Sequence, residues 1–338
     1  MKLLSIAVPS YNSQDYLDRC IASLLPGGDE VEILIVDDGS KDRTAEMADA
    51  YEKRYPGIIR AIHQPNKGHG GAVNTGLAAA TGLYFRVVDS DDWLDFDAYA
   101  IALASLRMLH AQNNDVDLFL SNYVYEKEGK KHKRVIHYES VLPEDRVFTW
   151  DEIGHFRLGQ YLLMHTMIYR TELLRSTGLQ LPEHCFYVDN LFCYVPLQHV
   201  RRLYYKNIDL YRYYIGRDDQ SINESVMIKR IDQQLKVNRL MVTSVDFKAI
   251  TNRRQAKTIY NYLEVITAVS NVLLLIMDTD ESRRMHDELW AFIRQQDIKL
   301  YLKLRHGVYG LMLHLPGRAG RKISLDAYSL AQKVFGFN

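Results

Sequence analysis

Cysteine is scarce in this chain of 338 residues: Cys20, Cys185 and Cys193 are too few and too scattered for a disulfide framework or a CxxC pair. They read as buried thiols of a protein from a reducing compartment, and a cytoplasmic location is expected. Neither sign of charge is in excess, since Lys plus Arg and Asp plus Glu both number 42. A strongly basic surface, the usual mark of a nucleic-acid partner, is therefore not expected. Long apolar runs are lacking too. Leu3 to Val8 is too short for a signal sequence. Val265 to Met277, bounded by Glu264 and Asp278, falls short of the roughly 20 residues of a membrane span. No repeat, low-complexity segment or clear linker stands out. The 47% hydrophobic and 25% charged content is that of an ordinary globular chain, long enough for one large domain or two modest ones.

The first half alternates strand and helix signals. Leu3 to Val8 ends at Pro9 and suits a buried parallel strand. Leu17, Cys20, Ile21, Leu24 and Leu25 follow at helical spacing, with Ser13 placed to cap. Val31 to Val36 predicts a second strand, Thr44 to Tyr51 a helix, and Ile58 to Ile62 a third strand. Ala72 to Ala80 predicts a small-residue helix and Tyr84 to Val88 a fourth strand. Such repeated units imply an α/β fold with a mostly parallel sheet and helices on both faces. Ligands then bind beyond the carboxyl ends of the strands. The polar clusters Ser10-Tyr11-Asn12, Asp37-Asp38 and Asp89 to Asp92 sit at those ends. Beyond Asp115, Leu118 to Tyr125 and Val135 to Tyr138 suggest a hairpin or meander, and from about Met227 the pattern is helical.

Asp89-Ser90-Asp91-Asp92 places three carboxylates within four residues. They repel one another unless a cation or hydrogen bonds intervene. Mg²⁺ or Mn²⁺, sharing its shell with phosphates, suits such a cluster; the plainer alternative is that Asp92 opens the next helix as a cap. Tyr11 offers a flat ring for a base and Asp38 an acceptor for the N3 hydrogen of uracil, unless both are simply turn residues. The loop Asn66-Lys67-Gly68-His69-Gly70-Gly71 precedes a helix, where backbone and dipole favour a diphosphate, with Lys67 or His69 adding charge. It is neither a Walker loop nor a GxGxxG, because position 73 is Val.

Val8-Pro9-Ser10-Tyr11-Asn12, Val36-Asp37-Asp38-Gly39-Ser40, Asn66-Lys67-Gly68 with Asn74-Thr75-Gly76, and Val88-Asp89-Ser90-Asp91-Asp92-Trp93 occur in that order. The ordered set resembles the family 2 glycosyltransferases of GT-A fold, strongly to about residue 125 and moderately to about 222. The resemblance implies an inverting enzyme that uses a nucleotide-sugar, a UDP-sugar first among them, and Mn²⁺ or Mg²⁺. Pro9 and Tyr11 would line the uridine, with Asn12 beside them, and Asp38 would take the N3 hydrogen. Lys67, His69, Gly70 and Asn74 would lie along the diphosphate. Asp89 would touch the ribose or the metal's water shell, and Asp91 would hold the metal. Within Phe186-Tyr187-Val188-Asp189-Asn190, Asp189 matches the general base; Val188 stands where the family has Glu, and Val73 where it has Arg. His165, in Met164-His165-Thr166-Met167, falls where relatives place acceptor-side residues, or is a core histidine. Arg217, in Arg217-Asp218-Asp219-Gln220-Ser221, is either a phosphate contact or part of an exposed charge run.

The implied organisation is a glycosyltransferase domain over 1–222, with 1–125 binding the nucleotide-sugar and 126–222 facing the acceptor, and a helical region over 223–338. The acceptor would be a glycan or a lipid-linked glycan. Arg305, Arg318, Arg321, Lys322 and Lys333 mix with Leu, Tyr and Phe, so the tail either packs on the body or rests on the inner face of a membrane. Two rivals stay open: a nucleotidyltransferase, which would carry a Gly-rich basic loop where Pro9-Ser10-Tyr11-Asn12 stands, and a non-catalytic nucleotide-sugar-binding subunit.

Overall fold

Apolar runs bounded by polar turns become adjacent strands. In the computed structural model, β1 (Leu4–Ser10) and β2 (Val31–Asp37) are buried along their whole length. With β3 (Ile59–His63) and β4 (Tyr84–Val87) they form the parallel order β3-β2-β1-β4. Pairing of Ser10 with Asp37 puts the ends of β1 and β2 level, and Asp38 N donates to Ser10 O at 2.8 Å. Helices α1 (Leu17–Leu24), α2 (Thr44–Arg54), α3 (Gly68–Ala79) and α4 (Phe96–Ala111) intervene. The structure describes residues 2–127, 133–157, 159–215 and 223–335.

Three expectations need correction. Helix α1 starts after Tyr16 without a side-chain cap, because the Ser13 hydroxyl is bonded to Ser90 Oγ at 2.7 Å. Helix α3 starts at Gly68, four residues before Ala72, so the glycine loop is its first turn. Asp92 caps nothing; Asp95 is the cap of α4, accepting from Ala98 N at 3.1 Å.

The sheet then changes character. It continues β4-β9-β6-β10-β5, with β7 beside β6 and β8 beside β10. These strands are β5 (Trp93–Leu94), β6 (Leu118–Lys127), β7 (Arg134–Ile136), β8 (Val147–Phe148), β9 (Met167–Arg170) and β10 (Leu203–Ile215). β9 runs antiparallel to both β4 and β6, whereas β10 is parallel to β6. β6 and β7 pair antiparallel, as a hairpin requires. Two short helices, α5 (Thr171–Ser176) and α6 (Asp189–Tyr194), complete this part. All three cysteines are free and buried.

The chain divides into two units, Met1–His155 with Leu162–Ile215, and Phe156–Tyr161 with Gly216–Asn338. From residue 223 on, the described part of the second is helical: α7 (Glu224–Lys229), α8 (Ile231–Ser244), α9 (Arg253–Met277), α10 (Asp280–Gln296), α11 (Ile298–Arg305), α12 (Val308–Leu313) and α13 (Gly317–Phe335). Helix α9 is 25 residues long with a window of hydropathy 1.6, so by length and composition it passes as a membrane span, contrary to the reading of its shorter uncharged stretch. However, 67% of that window is buried inside the protein. Its buried face is also polar: Gln234 donates to Ser270 Oγ, Asn238 to Thr267 Oγ1 and Trp290 to Asn271 Oδ1. These bonds suit a core helix, since buried polar groups must find partners.

Candidate active site

Strand order alone carries the polar clusters to one rim. Asp38, at the end of β2, is buried, and its Oδ1 accepts from Lys67 N (2.8 Å) and Gln64 Nε2 (2.7 Å). Its Oδ2 accepts from Gly68 N at 2.7 Å and keeps one acceptor position, because a carboxylate oxygen has two lone pairs. Asp38 thus anchors the start of α3. Pro9 is fixed within β1 opposite Val36, while the Tyr11 ring is half-exposed. Asn12, at φ 51°, donates through its backbone to Ser40 Oγ and accepts from Lys41 N at Oδ1, which holds the Tyr11 turn on both sides.

The glycine loop packs against the segment that leads to Asp189. A Cβ on Gly68 would lie 3.0 Å from the His184 backbone, and one on Gly70 2.6 Å from Pro182 O. Asn74 bonds Leu181 through both ends of its amide, at 2.9 and 3.0 Å. Lys67 O accepts from His184 N, and Lys67 Nζ lies 3.4 Å from Glu183. Gly70 and Asn74 therefore face chain rather than open rim. Val188 is buried beside Gly70, and Val73 is buried in α3, so neither position presents a polar group.

His69 reaches the rim, with Nε2 2.9 Å from Asp89 Oδ1. Burial opposes a charge on His69, but the bond to Asp89 and then the fields of Asp89, Asp189 and Asp91 prevail and raise its pKa. Asp89 is half-buried, which alone would raise its carboxyl, yet the His69 bond holds it below the usual range. The loop after β4 is tied down from several sides. Arg19 of α1 donates to Asp91 O at 2.7 Å while its guanidinium lies 3.9 Å from the Trp93 ring and 4.8 Å from that of Tyr214. Asp92 is fully buried and accepts from Tyr211 Oη at 2.6 Å and Tyr214 N at 2.7 Å. Burial, then repulsion from Asp91 and Asp89, pushes its carboxyl well above the usual range.

His165 comes from the turn before β9. Its ring stacks on Tyr211 (centroids 4.5 Å apart) and leans on Tyr213 (4.4 Å), and Arg86 donates to its carbonyl at 3.1 Å. Burial pushes its pKa down to about 4 against the pull of Asp89, with Arg86 and His69 lowering it further. The ring is therefore neutral, and its Nδ1 is buried without a hydrogen-bond partner. Among the described residues, ligand atoms of Asp89, Asp92 and His165 converge within 4.8 Å of one another. A neutral imidazole with a bare nitrogen beside two carboxylates fits a divalent cation, Mn²⁺ better than the strictly oxygen-seeking Mg²⁺. Asp91 neighbours this group, and its charge is felt at both His69 and Asp92.

Asp189 opens α6 after Tyr187, whose φ is 66°. Burial raises its carboxyl pKa; His69 opposes the rise and Asp89 adds to it, so all three share one electrostatic neighbourhood. The rim thus gathers Tyr11, Asp38, His69, Asp89, Asp91 and Asp189 from one unit of the chain. Arg217 lies outside the described residues. Sequence reasoning missed Asp92 and His165 as a converging pair, and Tyr211 and Arg19 as their supports. The alternation of Tyr211 and Tyr213 on one strand face was the available signal.

A sheet of this order, with carboxylates at the ends of its parallel strands and helices beside them, is a GT-A-like fold. The chain superposes on S. aureus TarS residues 1–349, solved in complex with UDP-GlcNAc, with a TM-score of 0.69 at 19% identity, covering 97% of this chain and 92% of that one. It also matches the mannosyltransferase PcManGT from Pyrobaculum calidifontis, solved with GDP-Man and Mn²⁺ (TM-score 0.51, 14% identity, 96% and 86% covered). Residues 5–172 match the family model described as Glycosyl transferase family 2. The glycosyltransferase EpsJ of Bacillus subtilis (strain 168) is 30% identical over 241 residues, 69% of this chain and 67% of EpsJ. The chain belongs to glycosyltransferase family 2.

Proposed function

We propose that the protein is an inverting enzyme that moves a hexosyl or N-acetylhexosaminyl group from a UDP-sugar to a hydroxyl of a glycan or lipid-linked acceptor, in the synthesis of a surface polysaccharide or glycoconjugate. The observation that carries this reading is the placing of Asp189 beside the His69–Asp89 pair, on the rim that also presents Tyr11 and Asp38. The raised carboxyl pKa of Asp189 makes it a better proton acceptor. It takes the acceptor hydroxyl proton as that oxygen attacks the anomeric carbon and the bond to the diphosphate breaks. Pro9, Tyr11 and Asn12 line the uridine, the open lone pair of Asp38 takes its N3 hydrogen, and Lys67 and His69 face the diphosphate, with Gly70 and Asn74 holding their loop in place. Asp91 and Asp89, with Asp92 and His165, would hold Mn²⁺ or Mg²⁺; such an ion would supply Lewis-acid neutralisation of charge on the diphosphate.

The UDP-GlcNAc bound by TarS and the GDP-Man and Mn²⁺ bound by PcManGT support a nucleotide-sugar and a metal for this chain as well. A lipid-linked acceptor would bring the protein to the inner face of a membrane. Lys322 and Ile323 of α13 are exposed for such contact, whereas Arg321 is bonded to Leu275 O and paired with Asp278.

Screening UDP-, GDP- and dTDP-sugars for Mn²⁺-dependent thermal stabilisation tests the donor, since saturation at 100 times Kd adds about 2.7 kcal/mol. Sugar transfer in the same mixtures separates an enzyme from a subunit that only binds. Asp91→Ala is expected to abolish the metal-dependent part of UDP binding, read by calorimetry with and without Mn²⁺. Unchanged metal dependence removes Asp91 from the site.

A further inference from the structure

The helical unit contains an open cavity of about 480 Å³ between the N-terminal turns of α9 and helix α11. Arg253, Lys257 and Lys303 line it together with Tyr260. These three cations have no ion-pair partner among the described residues. The Lys303 ammonium rests 3.5 Å from the centre of the Tyr260 ring, which is itself fixed by a bond from Tyr260 Oη to Lys303 O at 3.0 Å. Burial lowers the Lys303 pKa; Glu264 opposes this and Lys257 adds to it, so the two lysines repel each other across the cavity.

Two carboxylates stand nearby, and both are engaged elsewhere. Asp297 accepts from Lys299 N at 2.7 Å and Leu300 N at 3.0 Å as the cap of α11. Glu264 is half-buried with its carboxyl pKa raised by that burial, and it accepts from Tyr260 Oη at 3.4 Å. Asn252 and Asp297 already bond the first amides of the two helices, so an anion here would be gripped by side chains, aided by two helix dipoles. Helix α11 also exposes Ile298 and Leu302, four residues apart on the stripe adjoining Lys303.

We propose that this cavity is a phosphate-binding site that grips the headgroup of an anionic phospholipid, with Ile298 and Leu302 entering the lipid beside it. The site is independent of the sugar-transfer reading. Phosphate supplies charge and several acceptor oxygens for one guanidinium and two ammonium groups, and the apolar pair favours a phosphate presented on a lipid over a free one.

The test is co-sedimentation of the full chain with phosphatidylglycerol–phosphatidylcholine vesicles and with pure phosphatidylcholine vesicles, beside calorimetry with glycerol 3-phosphate. Binding to the anionic vesicles alone is expected. A Lys near an anionic surface contributes about 1 kcal/mol, so Lys257→Met with Lys303→Met should weaken vesicle binding roughly 30-fold. Lys41→Met with Lys53→Met, exposed lysines of the other unit, should leave it unchanged. Ile298→Ser with Leu302→Ser should weaken vesicle binding without changing any response to glycerol 3-phosphate. Glycerol 3-phosphate binding that the lysine pair variant loses keeps the site and assigns it a soluble phosphate. Equal loss in both lysine pairs, or no response to vesicles and glycerol 3-phosphate alike, overturns the proposal. Arg253→Met provides the same readout if the double variant does not fold.

Discussion

The two halves of the sheet bring different chemistry to one rim. The parallel half, β3-β2-β1-β4, contributes carboxylates at or just beyond its strand ends: Asp37, Asp38 and Asp89. The mixed half contributes rings: Tyr211 and Tyr213 from within β10, and His165 from the turn before β9. In the first, an apolar run stops and a charged residue follows at once. In the second, the buried Tyr211 hydroxyl reaches Asp92 from far along the chain, and the His165 ring is packed between Tyr211 and Tyr213. Charge is displayed by one half and set in place by the other.

The sharpest way to break this division is Asp189→Asn, which alters the proposed base and neither half of the sheet. A positioned general base contributes roughly 10²- to 10⁴-fold, so transfer should fall by that factor while UDP affinity stays nearly unchanged. Steady-state transfer rates with calorimetric UDP binding provide the check, and near-normal transfer removes Asp189 from the chemistry.

Next in size is His165. Its folded pKa of about 4 lies below the ordinary His value of about 6.5, so the unfolded chain takes up the proton first. The neutral ring's contribution is whole above that ordinary value and is lost as pH falls toward 4, about 3 kcal/mol in all. Urea unfolding in chelator at pH 7 and 4.5 should therefore show a steeper loss in the wild type than in His165→Phe. His69 acts with the opposite sign: its raised pKa adds stability that is present below the ordinary His value and fades as pH rises through the folded one. Equal acid sensitivity of wild type and His165→Phe would show that the imidazole is not held neutral.

The smallest effect is expected from Tyr211→Phe. The ring stays, but the buried Asp92 loses the donor at 2.6 Å, a change worth about 1–3 kcal/mol. Thermal unfolding should register it directly. Asp92→Asn in the same background tells whether the loss is that of an unpaired carboxylate, in which case it restores part of the stability.

The parallel half was legible because its signals are local. β1, β2 and β4 fall close to where mainly apolar runs put them, and the polar clusters follow from strand order alone. What escaped depends on distant partners. Ser13 looks like a cap until Ser90, 77 residues away, takes its hydroxyl. Asp92 looks like one until Tyr211, 119 residues away, claims it. Helix α3 begins early because Asp38 accepts from the amides of Lys67 and Gly68, a contact across 30 residues at most. His165 gives no periodic signal, since a core histidine and a metal ligand look the same in sequence until two carboxylates arrive.

The amide of Asn74, locked to Leu181 across 107 residues, has a consequence for how the protein can be made or cut. The match to the family model stops at residue 172, before Leu181, Pro182 and His184 have been reached. A fragment ending there would keep every donor-side carboxylate but leave the amide of Asn74 and the loop of Gly68 and Gly70 facing water. On the ribosome, too, the bonds of Asn74 to Leu181 and of Lys67 to His184 form only once that stretch has emerged. The smallest piece able to hold this rim in shape is longer than its recognisable domain, and a recombinant fragment should run through β10.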